Sequence, residues 1–222
     1  MSTVLVTGYE PFGTTPVNPA ELVAMRLDGA VIEGARVVAR VVPAAFFTSI
    51  DVARAAIEEV RPDAVIMMGE YGGRAMLTVE RLAQNLNDGT RYGLLDNAGY
   101  AMQDEMTVPG GPPSYYATLP IRAMVKAMRA AGIPADISDV AGTFCCNHLL
   151  YGILHHIAVN DLPIRAGWIH LPHLPEVAAL DDHLGAPSMS VETAAAGLTA
   201  GITAIQTHAV DIKDPIISRW QI

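Results

Sequence analysis

A thiol, an imidazole and a carboxylate in this chain have the settings that nucleophilic catalysis needs. Both cysteines, Cys145 and Cys146, lie in DVAGTFCCNHLLYGILHHI, residues 139–157. This stretch joins a β-like run over 135–140 to an apolar helix pattern (Leu149, Leu150, Ile153, Leu154, Ile157) through a turn of small residues. Both thiols therefore fall at a strand-to-helix junction. Unpaired N–H groups and the positive end of the macrodipole at a helix start favour an anion, and can lower a thiol pKa from about 8.5 to roughly 3.5–7.5. A lowered thiol pKa is the expectation here. A thiolate also needs a base that takes up a proton and returns it to a leaving group, and His170, at the end of a strand in GWIHLPHLP, is placed for that. An imidazole needs an acceptor to fix its tautomer, and Glu80, in LTVERLAQN, is an acid within an apolar run. Glu80 reads equally well as a surface carboxylate beside Arg81.

Other chemistries find little support. His170 and His173 sit in a proline-stiffened segment with no Cys or Asp neighbour to complete a ligand set, so a metal is not expected. Cys145 reads as a small buried hydrophobe, and His155 and His156 as surface or dipole-compensating residues at a helix end. There is no G-x-S-x-G elbow and no phosphate-cradling G-x-x-x-x-G-K-[ST] loop, and the glycines at 69, 72 and 73 do not make the dinucleotide pattern.

The elements that would position these groups alternate. A first strand over 3–8 leads through a loop to a helix at NPAELVAMRL, where Asn18 caps, Pro19 takes the first helical position and Glu21 completes the capping box. A strand over 36–42, a helix over 49–60 and a strand over 64–68 follow. Residues 69–88 read as strand after a glycine-rich turn, and 89–119, rich in Gly, Pro, Asp and Tyr, as a long loop with hairpin character that walls the site. After a helix over 120–131, stopped by Gly132, come the cysteine-bearing junction, a strand over 166–171 and a long helix from Ser190 to about 209. Such alternation predicts a three-layer α/β/α sandwich with a mainly parallel central sheet, and sites in such folds lie beyond the carboxyl ends of the strands.

Composition sets the class. With 222 residues, 51% of them hydrophobic, the chain can bury a sizeable core and is expected to form a single catalytic domain over 1–222. The net charge of −9, without a Lys/Arg run, argues against nucleic acid and anionic membrane surfaces as partners. No window is apolar for long enough to span a membrane and the N-terminus lacks a basic signal region, so a cytoplasmic location with reduced thiols is expected.

Three separated motifs together resemble type I pyroglutamyl peptidases, also called pyrrolidone-carboxylate peptidases. They are TGYEPFG with NP at Asn18 and Pro19, GEYGGRAMLTVERLAQN, and AGTFCCNHLLY followed by WIHLP. The resemblance spans nearly the whole chain. It implies Cys146 as nucleophile, His170 as general base and acid, and Glu80 as the group orienting His170. It further implies that Tyr9, Phe12 and Phe144 enclose a lactam ring, with Asn18 and Glu70 also at the substrate, and that helix-start N–H groups with Arg91 hold an oxyanion. The implied substrates are peptides with an N-terminal 5-oxoproline, the implied assembly is a homotetramer, and no metal or organic cofactor is implied.

The chain departs from the family pattern at Tyr9, Thr14 and Ala20, where phenylalanine, glycine and serine are usual, and in a longer loop over 89–95. Glu70 replaces a usual glutamine and Tyr71 a usual small residue. A carboxylate there is expected either to pair with Arg74, to face solvent, or to change the preferred acyl group. Two other readings compete: a nucleoside-phosphorylase-like transferase, which would need an Arg-rich phosphate site that this chain lacks, and a non-catalytic relative that binds a lactam or peptide.

Overall fold

A computed structural model describes residues 1–219. The chain starts with β1 (Ser2–Tyr9), α1 (Pro19–Leu27), β2 (Val31–Ile32), β3 (Ala35–Val42) and α2 (Thr48–Val60). It continues through β4 (Ala64–Glu70), β5 (Leu77–Glu80), β6 (Leu82–Gln84), β7 (Ser114–Tyr116), α3 (Ile121–Ala130) and β8 (Ala135–Ser138). The last elements are α4 (Cys145–Val159), β9 (Arg165–Leu171), α5 (Pro175–Ala178) and α6 (Val191–Thr207). Among the described residues, seven strands form one sheet in the order β2-β3-β1-β4-β9-β5-β8. The sheet is parallel except where β2 meets β3 and β5 meets β9. After the glycine-rich turn the strand expected over 69–88 is realised as β5 and β6, and β6 pairs antiparallel with β7, which lies near the end of the long loop expected over 89–119. The short β2 and α5 carry no sequence pattern long enough to be read.

Period-2 alternation divides each strand between two apolar layers. Val4, Val6, Ile66, Met68, Leu77, Val79, Ile169 and Leu171 pack on one face with α1, α3 and α6. Leu5, Tyr9, Val65, Met67, Ala166 and Trp168 pack on the other with α2 and α4. Parity then aims the remaining residues of these strands. Gly69 follows Met67, His170 follows Trp168, and Thr78 and Glu80 alternate with Leu77 and Val79, so all of them face the layer that holds α4. Strand parity thus turns the imidazole and the carboxylate to the side of the sheet where α4 carries the thiol.

The helix starts follow their local chemistry. Asn18 caps α1 by accepting from the Ala20 N–H at 2.9 Å, and Ser190 caps α6 through the Thr193 N–H. α2 has no side-chain cap and follows Phe47, at φ 59°. That N-terminus is held instead by His148 of α4, whose Nε2 accepts the Phe47 N–H at 3.0 Å. His148 is fully buried between the edges of Phe46 and Phe47, and its Nδ1 lies 3.1 Å from Thr107 Oγ1. Protonation would set a second donor against the Phe47 N–H, and burial holds the His148 pKa down at about 4. An unfolded chain takes up this proton near 6.5, so stability falls as pH drops from about 6.5 to 4, by at most about 3 kcal/mol from this residue. Denaturant unfolding at pH 7 and pH 5 should show a smaller acid loss for His148→Gln than for the parent. Equal losses would exclude His148 as a source.

Candidate active site

The carboxyl ends of β1, β4 and β9 lie side by side, with Gly8 opposite Met68 and Gly69 opposite His170. α4 starts above this row. The turn before it needs a left-handed residue and has Gly142 at φ +82°. It is anchored from several sides. The buried Asn147 side chain accepts from the Gln84 N–H and donates to the carbonyls of Gln84 and Leu86, and the Thr143 carbonyl accepts the Asp88 N–H at 2.8 Å. Tyr9 Oη donates to the Cys145 carbonyl at 2.7 Å. Phe144, the residue preceding α4, makes no side-chain cap, so the first-turn N–H groups are left to act on the cavity.

Cys146, the second residue of α4, is partly exposed and lines a cavity of about 260 Å³. The thiol sits over Gly69, where a methyl group would come within 3.0 Å of Sγ and 2.7 Å of the Trp168 ring. His170 lines the same cavity, and its Nδ1 lies 2.7 Å from Glu80 Oε1. Glu80 is fully buried, which decides between the two readings of its sequence setting. An acid there accepts Nδ1–H, so the tautomer leaves Nε2 as the basic nitrogen. His170 Nε2 is buried without a hydrogen-bond partner among the described residues.

Arg74 completes this cluster, and its part was not read from the sequence. Its Nη1 donates to the same Glu80 oxygen at 3.0 Å and to Thr78 Oγ1. A fully buried carboxylate is costly without a counter-charge, and Arg74 supplies one. Its guanidinium also lies 3.8 Å from the Tyr71 ring centroid, and Tyr71 meets His170 edge-on at 5.3 Å. No short-range pattern announces these contacts, which arise where β5 doubles back antiparallel to β9.

Electrostatics differ from the helix-start expectation. Burial pushes the Cys146 thiol up, with Glu80 adding to the rise, and this outweighs the lowering by its own backbone N–H and by Arg74. Burial also lowers His170, partly offset by its hydrogen bond to Glu80. Both shifts favour the uncharged forms, of the thiol and of the imidazole. α4 begins where the sequence said, but desolvation dominates the helix-terminus effect.

The rest of the cavity wall is mostly apolar. Phe12 and Phe144 pack at 5.4 Å, with Tyr9, Ala44 and Ala141 nearby in the wall. The long loop contributes Tyr92 and Leu94, as expected of a segment that walls the site. Gly89 lets that loop lie against Phe144, whose ring is 2.8 Å from where a Cβ would be. Asn18 also lines the cavity, but its side chain is committed to the α1 cap and to the Glu10 carbonyl. Arg91 is not brought to the thiol. It is exposed, stacks 5.1 Å from the Tyr92 ring and is absent from the cavity wall.

Glu70 neither pairs with Arg74 nor faces solvent. It lines the cavity but pairs with His173, whose Nδ1 is 2.6 Å from Glu70 Oε1, while Arg74 belongs to Glu80. The register of β4 on β9 makes this pair, since Glu70 lies opposite Leu171, two residues before His173. Burial raises the Glu70 carboxyl pKa, and His173 pulls it back. Among the described residues no group of three or more His, Cys, Asp or Glu side chains is placed to hold a metal ion. Among the described residues no helix is long and apolar enough to cross a membrane.

Comparison with known proteins places this geometry. The sequence profile of the pyroglutamyl peptidase family matches residues 2–208. Pyrrolidone-carboxylate peptidases of Mycobacterium marinum and Mycobacterium tuberculosis are 64% and 63% identical to this chain over 222 residues, covering 100% of both chains in each case. The crystal structure of pyroglutamyl peptidase I from Bacillus amyloliquefaciens superposes with a TM-score of 0.91 at 38% identity, over 96% of this chain and 100% of that one. A mutant pyrrolidone carboxyl peptidase from Pyrococcus furiosus gives a TM-score of 0.87 at 38% identity, over 92% and 98%. With the motifs, the fold and these relatives in agreement, this chain belongs to the pyroglutamyl peptidase family.

Proposed function

We propose that Cys146, His170 and Glu80 carry out the hydrolysis of an N-terminal pyroglutamyl residue in this chain. The chain is a cysteine-type pyroglutamyl peptidase, an exopeptidase acting on peptides that begin with 5-oxoproline. The observation that supports the residue assignment best is the Glu80–His170 hydrogen bond in the wall that also holds the Cys146 thiol.

In this reading the cavity takes the neutral lactam against Tyr9, Phe12 and Phe144, and a largely apolar wall suits a ring without charge. The Cys146 thiol proton passes to His170 Nε2 as sulfur forms its bond to the pyroglutamyl carbonyl carbon. N–H groups at the start of α4 receive the oxyanion, each worth roughly 3 kcal/mol in the transition state. The imidazolium, stabilised by Glu80, gives its proton to the departing amine as the C–N bond breaks, leaving a thioester. His170 then deprotonates a water that attacks the thioester, the C–S bond breaks, and the thiol regains its proton. 5-Oxoproline leaves. Shifts that favour a neutral thiol and a neutral imidazole suit this sequence, because His170 must accept a proton before it donates one.

The proposal includes a single catalytic domain, a cytoplasmic location and homotetrameric assembly. Exposed apolar side chains such as Tyr116 and Val210, which line one surface groove, support a further interface.

The test is hydrolysis of a pyroglutamyl fluorogenic amide by purified protein under reducing conditions, beside the prolyl and free-glutamyl amides. Turnover of the pyroglutamyl compound alone is the expected result. Stoichiometric binding of pyroglutamate with no turnover of any amide would favour a binding protein instead.

A further inference from the structure

We propose that Tyr71 forms the subsite for the residue that follows the scissile bond, and that this subsite selects aromatic and branched aliphatic side chains over glycine. The inference rests on the peptidase reading above and extends it to the leaving group.

The direction of the substrate follows from the sheet. The Cys146 thiol sits over Gly69 on β4, with Tyr9 of β1 to one side and His170 of β9 to the other. Tyr9, Phe12 and Phe144 make the ring wall on the β1 side. The amine that His170 protonates must therefore lie on the β9 side, and the residue carrying that amine lies beside the imidazole. Tyr71 is the large apolar side chain there. Its ring meets the His170 ring edge-on at 5.3 Å, lines the cavity and remains 43% exposed.

Three contacts keep Tyr71 in place rather than leaving it a mobile loop residue. The Tyr71 N–H donates to the Leu171 carbonyl at 2.8 Å, extending the β4–β9 ladder by one bond. Glu70, just before it, is fixed by His173. Arg74, just after the turn, stacks 3.8 Å from the ring centroid while bound to Glu80. A rigid ring with unburied area at a cavity rim gains contact with an apolar side chain at low entropic cost. Glycine offers nothing for it to bury.

The experiment measures kcat/KM for release of 5-oxoproline from pyroglutamyl-Phe, -Leu, -Ala and -Gly amides, with wild type, Tyr71→Ala and Tyr71→Phe. Wild type should prefer Phe and Leu over Gly by about tenfold. Tyr71→Ala should bring that ratio close to one, and Tyr71→Phe should keep it. An unchanged ratio in Tyr71→Ala, or a flat wild-type series, overturns the subsite assignment. Loss of all four substrates in Tyr71→Ala, with the protein folded, also overturns it, because Tyr71 would then act by holding His170. Absence of turnover of all four by wild type removes the peptidase reading beneath it as well.

Discussion

Cys146→Ser should lower kcat/KM for a pyroglutamyl amide by about 10⁴-fold or more, while Cys145→Ala retains turnover. The two thiols are neighbours in sequence but not in environment. Cys146 opens to the cavity over Gly69, whereas Cys145 is 2% exposed among the apolar residues of the α2–α4 layer. Both thiols are pushed up by burial, so ionisation alone does not tell them apart. Both residues border the cavity that His170 lines, so the distinction is what each thiol faces: Cys146 Sγ lies over Gly69, the strand partner of His170, within the field of Glu80 and Arg74, whereas Cys145 feels Asp96 instead. A thiol reacts where a base can take its proton as the bond forms. Cys145 contributes its backbone carbonyl to Tyr9 Oη, which an alanine preserves. Its loss should appear as lower stability, by about 1 kcal/mol, in thermal unfolding. Equal losses of activity in the two variants would contradict the assignment.

Glu80→Gln should cost about 10²- to 10⁴-fold in kcat and move the acid limb of the pH–rate profile to lower pH. Glu80 raises the His170 pKa through its hydrogen bond and its charge, so removing the charge lets the imidazole lose its proton at lower pH. Arg74→Ala should shift the same limb the other way, because the guanidinium holds His170 down. It also strips the buried Glu80 carboxylate of its counter-charge, which should destabilise the fold by about 3 kcal/mol. Opposite shifts from removing the carboxylate and from removing its counter-charge are a result that general loosening of the site would not produce. Shifts in the same direction would show that Arg74 does not act on His170 through this cluster.

The sequence was most informative where chemistry is local. The α1 start is legible because Asn18, Pro19 and Glu21 are closely spaced capping signals, and α3 stops just before Gly132, whose φ is +78°. The start of α4 and the company of Cys146 were legible for the same reason. Glu80 was not, because β5 is only four residues long and both of its faces are covered, so burial leaves no alternation of polar and apolar residues to read. The partner of Glu70 was missed because His173 lies 103 residues away and meets it only through the register of two parallel strands. Arg74 lies close to Glu70 in sequence, yet it turns to Glu80. Arg91 falls on the outer side of the long loop whose Tyr92 and Leu94 reach the cavity, a distinction of one or two residues that composition does not encode. The thiol pKa was misjudged because a helix start is a sequence feature and desolvation is not.

The most direct test of the account is to trap the acyl-enzyme. Rapid acid quench of the protein during turnover of a pyroglutamyl ester, followed by peptide mapping by mass spectrometry, should show the pyroglutamyl group as a thioester on Cys146. The adduct should decay more slowly where the water-activating base is weakened, as in Glu80→Gln. Sustained turnover with no adduct on Cys146, or an adduct on Cys145, would contradict the account.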